Sequence, residues 1–120
     1  YVSHGAPLLH GIEMFQGKPL LHSLGSLVFH SRTEPGYYVP EVWQSAIVQL
    51  AYDDGGLLQL EVVPVGLNEM GDDATRHLET RGRPRIATGA EAQRILERLQ
   101  RISADLGTHL RIDDGKAYLA

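Results

Sequence analysis

Between Ala46 and Val62 the chain alternates apolar and polar residues on both sides of Asp53-Asp54-Gly55-Gly56, a pattern that closes most readily into a β-hairpin. Ala46, Val48, Leu50 and Tyr52 share one face of the first arm, and Leu58, Leu60 and Val62 share one face of the second, opposite Gln59 and Glu61. A period of two marks a half-buried strand, and Asp and Gly tolerate the positive φ that short hairpin loops demand. Pro64 has no N–H to donate, so it is expected to end the ladder or to lie on an edge. The hairpin spans residues 45–65. Its apolar face needs a partner layer, because an isolated hairpin is marginal in water.

The partner is a helix expected over residues 88–106. Thr88 and Glu91 have the spacing of a capping box. Ala92, Ile95, Leu96, Leu99, Ile102 and Leu106 recur at helical spacing and form one apolar stripe. Glu97 and Arg101, four apart, sit on the exposed side. Gly107 suits the residue just past the helix end. Burying five of the large stripe residues contributes about 8–15 kcal/mol before chain entropy is counted.

Two more hairpins complete the pattern. Gly11 to Gln16 alternates, Gln16 to Lys18 turns, and Leu20 to Phe29 returns as a second apolar arm. Ser23, Gly25 and Ser26 interrupt that arm, as a bulge or as a close approach of backbone to a neighbour. Leu110 to Leu119 folds around Asp114-Gly115, within residues 109–119. Pro35-Gly36 marks a turn in a polar and aromatic loop, and residues 66–87 read as a long surface connection. The expected fold class is α+β: mostly antiparallel strands with one long amphipathic helix, in one domain.

Composition narrows the function classes. No apolar run approaches the ~18 residues of a membrane span, and no basic-then-apolar leader opens the chain. The chain begins in mid-pattern at Tyr1, so it is expected to be a piece of a longer protein. Without cysteine it has neither disulfides nor thiolate metal sites. A net charge of -4, with acids interleaved among the arginines from Arg76 to Arg101, argues against a nucleic-acid binder.

Four of the six histidines, His4, His10, His22 and His30, fall in the first thirty residues. His4 follows a short apolar segment and precedes a glycine, where a strand gives way to a loop. It is the candidate metal ligand or acid–base group, since imidazole binds borderline divalent metals and titrates near neutrality. One histidine is not a centre, which needs three or four ligands. For His10, His22 and His30 the plainer reading is a hydrogen-bonded structural histidine, and for Glu13 a solvated carboxylate. Ser23 and Ser26 lack a nucleophile-elbow pattern, and Ser23-Leu24-Gly25-Ser26 lacks the lysine and helix of a phosphate-binding loop. Trp43, Tyr37 and Tyr38 could stack on a sugar or polymer, although covering a core edge is their commoner role.

The first stretch also carries a family resemblance. Ser3-His4-Gly5, Leu9-His10-Gly11-Ile12-Glu13, Gly17-Lys18-Pro19 and His22-Ser23-Leu24-Gly25-Ser26-Leu27-Val28-Phe29 resemble the C-terminal signature of the CapA family. These are bacterial capsule-synthesis, or poly-γ-glutamate biosynthesis, proteins. Arg83-Pro84-Arg85-Ile86-Ala87, the helix and Leu106-Gly107-Thr108 resemble the tails of some members. The family pattern runs Gly-His-x-x-His-x-x-Gln-Gly-Ile-Glu, a strand, Gly-Lys-x-Ile, then Tyr-Ser-Leu-Gly-Asn-Phe-x-Phe. His4 matches its first histidine, Pro7 falls on the second, His22 replaces the tyrosine and Ser26 the asparagine.

The resemblance implies the C-terminal part of a calcineurin-like metallophosphoesterase α/β sandwich. There a two-metal centre of Mn, Fe or Zn clamps the attacking and leaving oxygens of a phosphoester. It implies that the other ligands lie in a missing N-terminal half, that this piece alone is inert and holds no metal, and that the whole protein works at the bacterial cell envelope or outside it. An alternative within the same family is a non-catalytic envelope protein that binds or positions an anionic polymer. A half-domain with unpaired strand edges is also expected to self-associate.

Overall fold

The computed structural model describes residues 1–120 and bears out the α+β class, with mostly antiparallel strands and one helix. The strands are β1 (Ile12–Phe15), β2 (Lys18–Leu21), β3 (Gln44–Asp53), β4 (Gly56–Gly66), β5 (Arg85–Ile86), β6 (Leu110–Asp113) and β7 (Lys116–Leu119). The helix is α1 (Gly89–Ala104). β1 and β2 form a separate hairpin, and the main sheet runs β3-β4-β7-β6, with β5 on β4 beyond β7. No helix is long and apolar enough to cross a membrane.

Turn chemistry explains the short hairpins. Gln16 and Gly17 have φ of 49° and 74°, and Asp114 and Gly115 have 46° and 73°. Two successive positive φ values give the turn whose twist matches that of paired strands. The Asp54-Gly55 turn is built differently. The Asp53 carboxylate accepts the Gly55 N–H at 2.7 Å, and positive φ is left to Gly56, at 124°. Beside it the register shifts, so that Ala51 faces Gln59 while Tyr52 faces Leu57. Leu58 is therefore the extra residue of a bulge and lies 65% exposed. Leu57 packs against the core in its place, which corrects the expected face of Leu58, Leu60 and Val62.

Pro64 does not end the ladder. It pairs with Ala46 in the middle of the sheet and is buried. Its carbonyl faces away from β3 and accepts the Ala87 N–H at 2.9 Å. Its nitrogen therefore lies on that same side, in the gap between β7 and β5, where no donor is required.

The helix begins and ends close to expectation, but the capping box does not form: Thr88 makes no side-chain cap bond. The C-terminus closes as a Schellman motif. Thr108 N–H reaches Ser103 O and Gly107 N–H reaches Ala104 O, both at 2.9 Å, with Gly107 at φ 78°. Ile95, Leu96 and Leu99 are fully buried among β4, β6, β7 and β1, while Ile102 is half-buried and Leu106 is 42% exposed. The three buried side chains contribute about 5–9 kcal/mol gross, less than the full stripe promised.

The β1–β2 hairpin rides on the end of α1. Ile12 N–H donates to Ser103 Oγ and Met14 N–H to Thr108 Oγ1, each at 3.0 Å, so hydroxyls cap the free edge of β1. A side chain at Gly11 would come within 2.5 Å of Ile102 O, which explains the glycine at that crossing. After Leu21 the expected second arm leaves the strand, and only Leu24 continues, as an isolated bridge to Leu9. The segment expected as surface connection is anchored at several points: Leu67, Asn68, Arg81, Gly82 and Ala87 are buried, while most of residues 70–80 and all of 83–86 are exposed.

Candidate functional site

The interruptions at Ser23 and Gly25 are close approaches and not a bulge. Ser23 Oγ donates to Ala6 O at 3.0 Å and accepts the Gly25 N–H at 3.2 Å, while Ser45 Oγ donates to Leu24 O at 2.7 Å. Gly25, at φ 74°, lies so near β3 that a Cβ would stand 2.9 Å from Gln44 O. This web of hydroxyl bonds fixes residues 22–25 between the 3–6 loop and the start of β3.

His4 is held by the same web. Its Nδ1 lies 3.2 Å from Gly25 O. A carbonyl only accepts, so Nδ1 is the donor, and in the neutral tautomer with that proton the lone pair is on Nε2. The ring is exposed, and no three His, Asp or Glu side chains in the chain come together as a ligand set. One imidazole is a single donor, and a metal centre needs three or four. Pro7 lies exposed in the same loop and offers no donor atom to a metal.

The other histidines separate. His22 Nε2 lies 2.8 Å from Glu13 Oε2 across the β1–β2 hairpin. This is a diagonal pair, since Glu13 faces Leu20 in the register. Glu13 is therefore a hydrogen-bond partner of His22 and not merely a solvated carboxylate. His10 is fixed by its backbone, which donates to Ser23 O at 2.9 Å, and its side chain is exposed. His30 is exposed as well.

His10, Glu13 and His22 line one cleft of about 510 Å³, together with Arg98, Ile102 and Leu106 of and beyond α1. Arg98 donates to Leu9 O at 2.8 Å. Burial lowers its pKa from the ordinary arginine value, with Glu41 opposing the shift and Arg101 adding to it. The guanidinium stays charged at neutral pH. Glu13 orients the His22 ring through its Nε2, in the wall of the same cleft as Arg98. Sequence reasoning missed Arg98, although its position beside Ile95, Leu99 and Ile102, at the edge of the apolar stripe, was a signal.

Trp43 and Phe29 belong to or cover core, and the two tyrosines extend outward from them. Phe29 meets Trp43 at 4.8 Å and Tyr38 at 5.4 Å, edge to face, and Tyr37 continues the row at 4.9 Å from Tyr38. Trp43 is only 5% exposed and is closed to a stacking polymer.

No protein-family model matches the chain. Two curated relatives, the uncharacterized proteins y4sH and y4uA of Sinorhizobium fredii (strain NBRC 101917 / NGR234), are each 26% identical over 152 aligned residues. The alignment takes in 95% of this chain and 32% of each relative, so the chain spans about a third of the length of the curated relatives it matches.

Proposed function

We propose that this chain is the C-terminal part of a CapA-like domain with a calcineurin-like fold, in which His4 supplies one imidazole to the edge of a divalent-metal centre. The observation that carries the reading is the His4–Gly25 bond. Ser3-His4-Gly5 and Ser23-Leu24-Gly25-Ser26 are separate motifs of the resemblance, and the fold joins them through that contact and through the Leu24 N–H to Ser3 O bond at 3.1 Å. Metal-ligating histidines nearly always donate their other ring N–H to a carbonyl, carboxylate or water, which fixes the tautomer and the aim of the free nitrogen. Mn, Fe or Zn would be completed by ligands from the preceding part of the domain, and the substrate class is a phosphoester. The setting is the bacterial cell envelope, in capsule or poly-γ-glutamate synthesis.

The test uses a polypeptide covering the full length of the relatives. His4→Ala should lower metal affinity about tenfold or more and reduce phosphoesterase activity with it. A wild-type protein that binds no Mn, Fe or Zn by elemental analysis and calorimetry would end the proposal. Pro7 and Ser26, where the family motif has His and Asn, favour a second reading: a non-catalytic protein that positions an anionic polymer. That reading predicts poly-γ-glutamate binding that persists in EDTA, and fails if the full-length protein binds none.

A further inference from the structure

The main sheet ends in two edges, β3 and β6, and they are protected unequally. β6 is four residues long and carries Arg111 and Asp113, whereas β3 is ten residues long. From Gln44 to Tyr52 it holds no charged residue, no proline and no glycine. Natural edges are blunted by shortness, charge, proline or a bulge. The bulge near the end of this hairpin belongs to β4, so β3 keeps its alternation throughout.

The unused backbone groups of β3 can be named. Trp43 O accepts the Leu67 N–H at 2.9 Å, and the Pro64 carbonyl, opposite Ala46, turns away from β3 to Ala87. Bonded and non-bonded pairs alternate along an antiparallel ladder. The odd-numbered residues of β3 therefore bond to β4, while Ala46, Val48, Leu50 and Tyr52 direct N–H and C=O to the free edge. The start of that edge is closed, because Gly25 lies against Gln44 O and Ser45 Oγ donates to Leu24 O. No turn, loop or cap bond of the chain reaches Val48, Leu50 or Tyr52. Apolar cover fails in the same direction. Along one face Ala46 is 6% exposed, Val48 and Leu50 are half-buried, and Tyr52 is 54% exposed.

We propose that this edge pairs with the same edge of a second copy of the chain, antiparallel about a two-fold axis at Leu50. Leu50 then faces Leu50 of the partner subunit, and Val48 faces the partner's Tyr52. Each such pair exchanges both backbone bonds, since the outward groups of the two strands have the same spacing. On the inner face apolar meets apolar, and an aromatic beside a β-branched residue is a favourable cross-strand pair. On the outer face Gln49 meets the partner's Ala51. The first charged residue, Asp53, falls at the rim opposite the partner's Ile47, so no charge opposes its like. An axis nearer the start of β3 is blocked, because the partner's hairpin tip would run into Leu24 and Gly25. A charged peptide finds no countercharge on this strand, whereas a second copy brings an equally neutral one. The contact is isologous and closes as a dimer. It stands apart from the metal reading and involves none of its residues.

The 120-residue chain is followed by sedimentation velocity over a concentration series, with amide exchange read by NMR. The expected result is a monomer–dimer equilibrium with a Kd on the order of 10–100 µM, in keeping with a small interface. As the dimer forms, the amides of Val48, Leu50 and Tyr52 should gain about tenfold or more in protection, while those of Gln49 and Ala51, already paired to β4, should not. Gln49 and Ala51 are exposed, so charges placed there leave the core alone, and thermal melts establish that the variants fold. Gln49→Lys with Ala51→Lys sets like charges opposite each other across the axis and should weaken the dimer about tenfold. Gln49→Lys with Ala51→Glu sets opposite charges together and should dimerise at least as well as wild type. A chain that stays monomeric up to about 500 µM, well above that Kd, would overturn the proposal. A dimer that the two lysines leave intact, or in which the three amides gain no protection, would place the interface elsewhere and overturn it too. So would a lysine–glutamate variant as weak as the lysine pair.

Discussion

The molecule has two apolar cores, and they treat buried polar atoms in opposite ways. The larger gathers thirteen buried residues from β1 to β4, α1, β6 and β7, together with Leu9 and Ala87. The small one holds Val42, Trp43, Val65 and Leu67. Around the larger core the buried hydroxyls are all used: Ser103 and Thr108 cap β1, and Ser23 and Ser45 tie the 22–25 segment in place. Around the small core lie the four buried polar atoms left without a partner: Trp43 Nε1, Gln44 Oε1 and the Nε and Nη2 of Arg81. A short hydroxyl between two backbones can rotate to whichever group is near. An indole or guanidinium has its donors fixed in a plane, and packing that satisfies the ring face does not satisfy its edge.

The largest effect is expected in the larger core. Leu96 is fully buried at the centre of the helix stripe. Leu96→Ala should cost about 2–5 kcal/mol in chemical denaturation. A loss below about 1 kcal/mol would mean that the helix is not the centre of the packed half, and the contrast between the cores would collapse.

Arg81 makes the opposite case. It is 3% exposed, faces no carboxylate within ion-pair distance, and uses one nitrogen, Nη1, on Ser31 O and Thr33 O. Arg81→Met keeps the apolar stem and removes two unpartnered nitrogens along with those bonds. Stability should therefore change by no more than about 1–2 kcal/mol, because replacing buried, incompletely satisfied charge by apolar volume is often close to neutral. A loss of about 4 kcal/mol or more would show the guanidinium to be fully engaged, and the two cores alike.

The smallest effect concerns the seam between β4 and β7, where only Glu61↔Tyr118 and Val62↔Ala117 pair. Lys116 Nζ lies 2.6 Å from Glu61 Oε1. That hydrogen bond raises the Lys116 pKa above 10.5, with burial opposing it and the charges of Glu61, Tyr118 and Asp114 adding to the rise. A raised pKa stabilises the fold fully below the unfolded value and loses that contribution as pH climbs through the folded one. Denaturation midpoints should fall slightly above about pH 10.5 in wild type, and Lys116→Met should lack that step. An alkaline step of the same size in the variant would remove Lys116 from the seam.

Local pattern carried much of the architecture. The β3–β4 arms, both Asp-Gly turn regions, the helix and Gly107 all follow from residue spacing and from which residues accept positive φ. The misses lie where another element intervenes. Leu58 is turned outward by a bulge one residue from the turn. Pro64 sits mid-sheet because two short strands leave a gap beside it. The arm after Leu21 is bent away by hydroxyl bonds to the 3–6 loop and β3. The candidate site was legible only in part. His4 stood out by its setting, but its contact to Gly25 spans 21 residues. Nothing in the spacing of Glu13 and His22 announces a pair, since that depends on where the hairpin turns.

By itself the amino-acid sequence determined the element types, because the periods of 2 and 3.6 and the chemistry of Gly, Asp and Pro act over a few residues. It also singled out His4 as the candidate ligand by its place before a glycine at the end of an apolar segment. Only the tertiary structure decided that the free edge of β1 is capped from the end of α1, that Arg98 shares a cleft with two histidines, and that Trp43 and Gln44 keep buried polar atoms that no protein group satisfies. Those outcomes depend on which groups meet across tens of residues. Burial and hydrogen-bond satisfaction are set by that meeting, not by the residues one at a time.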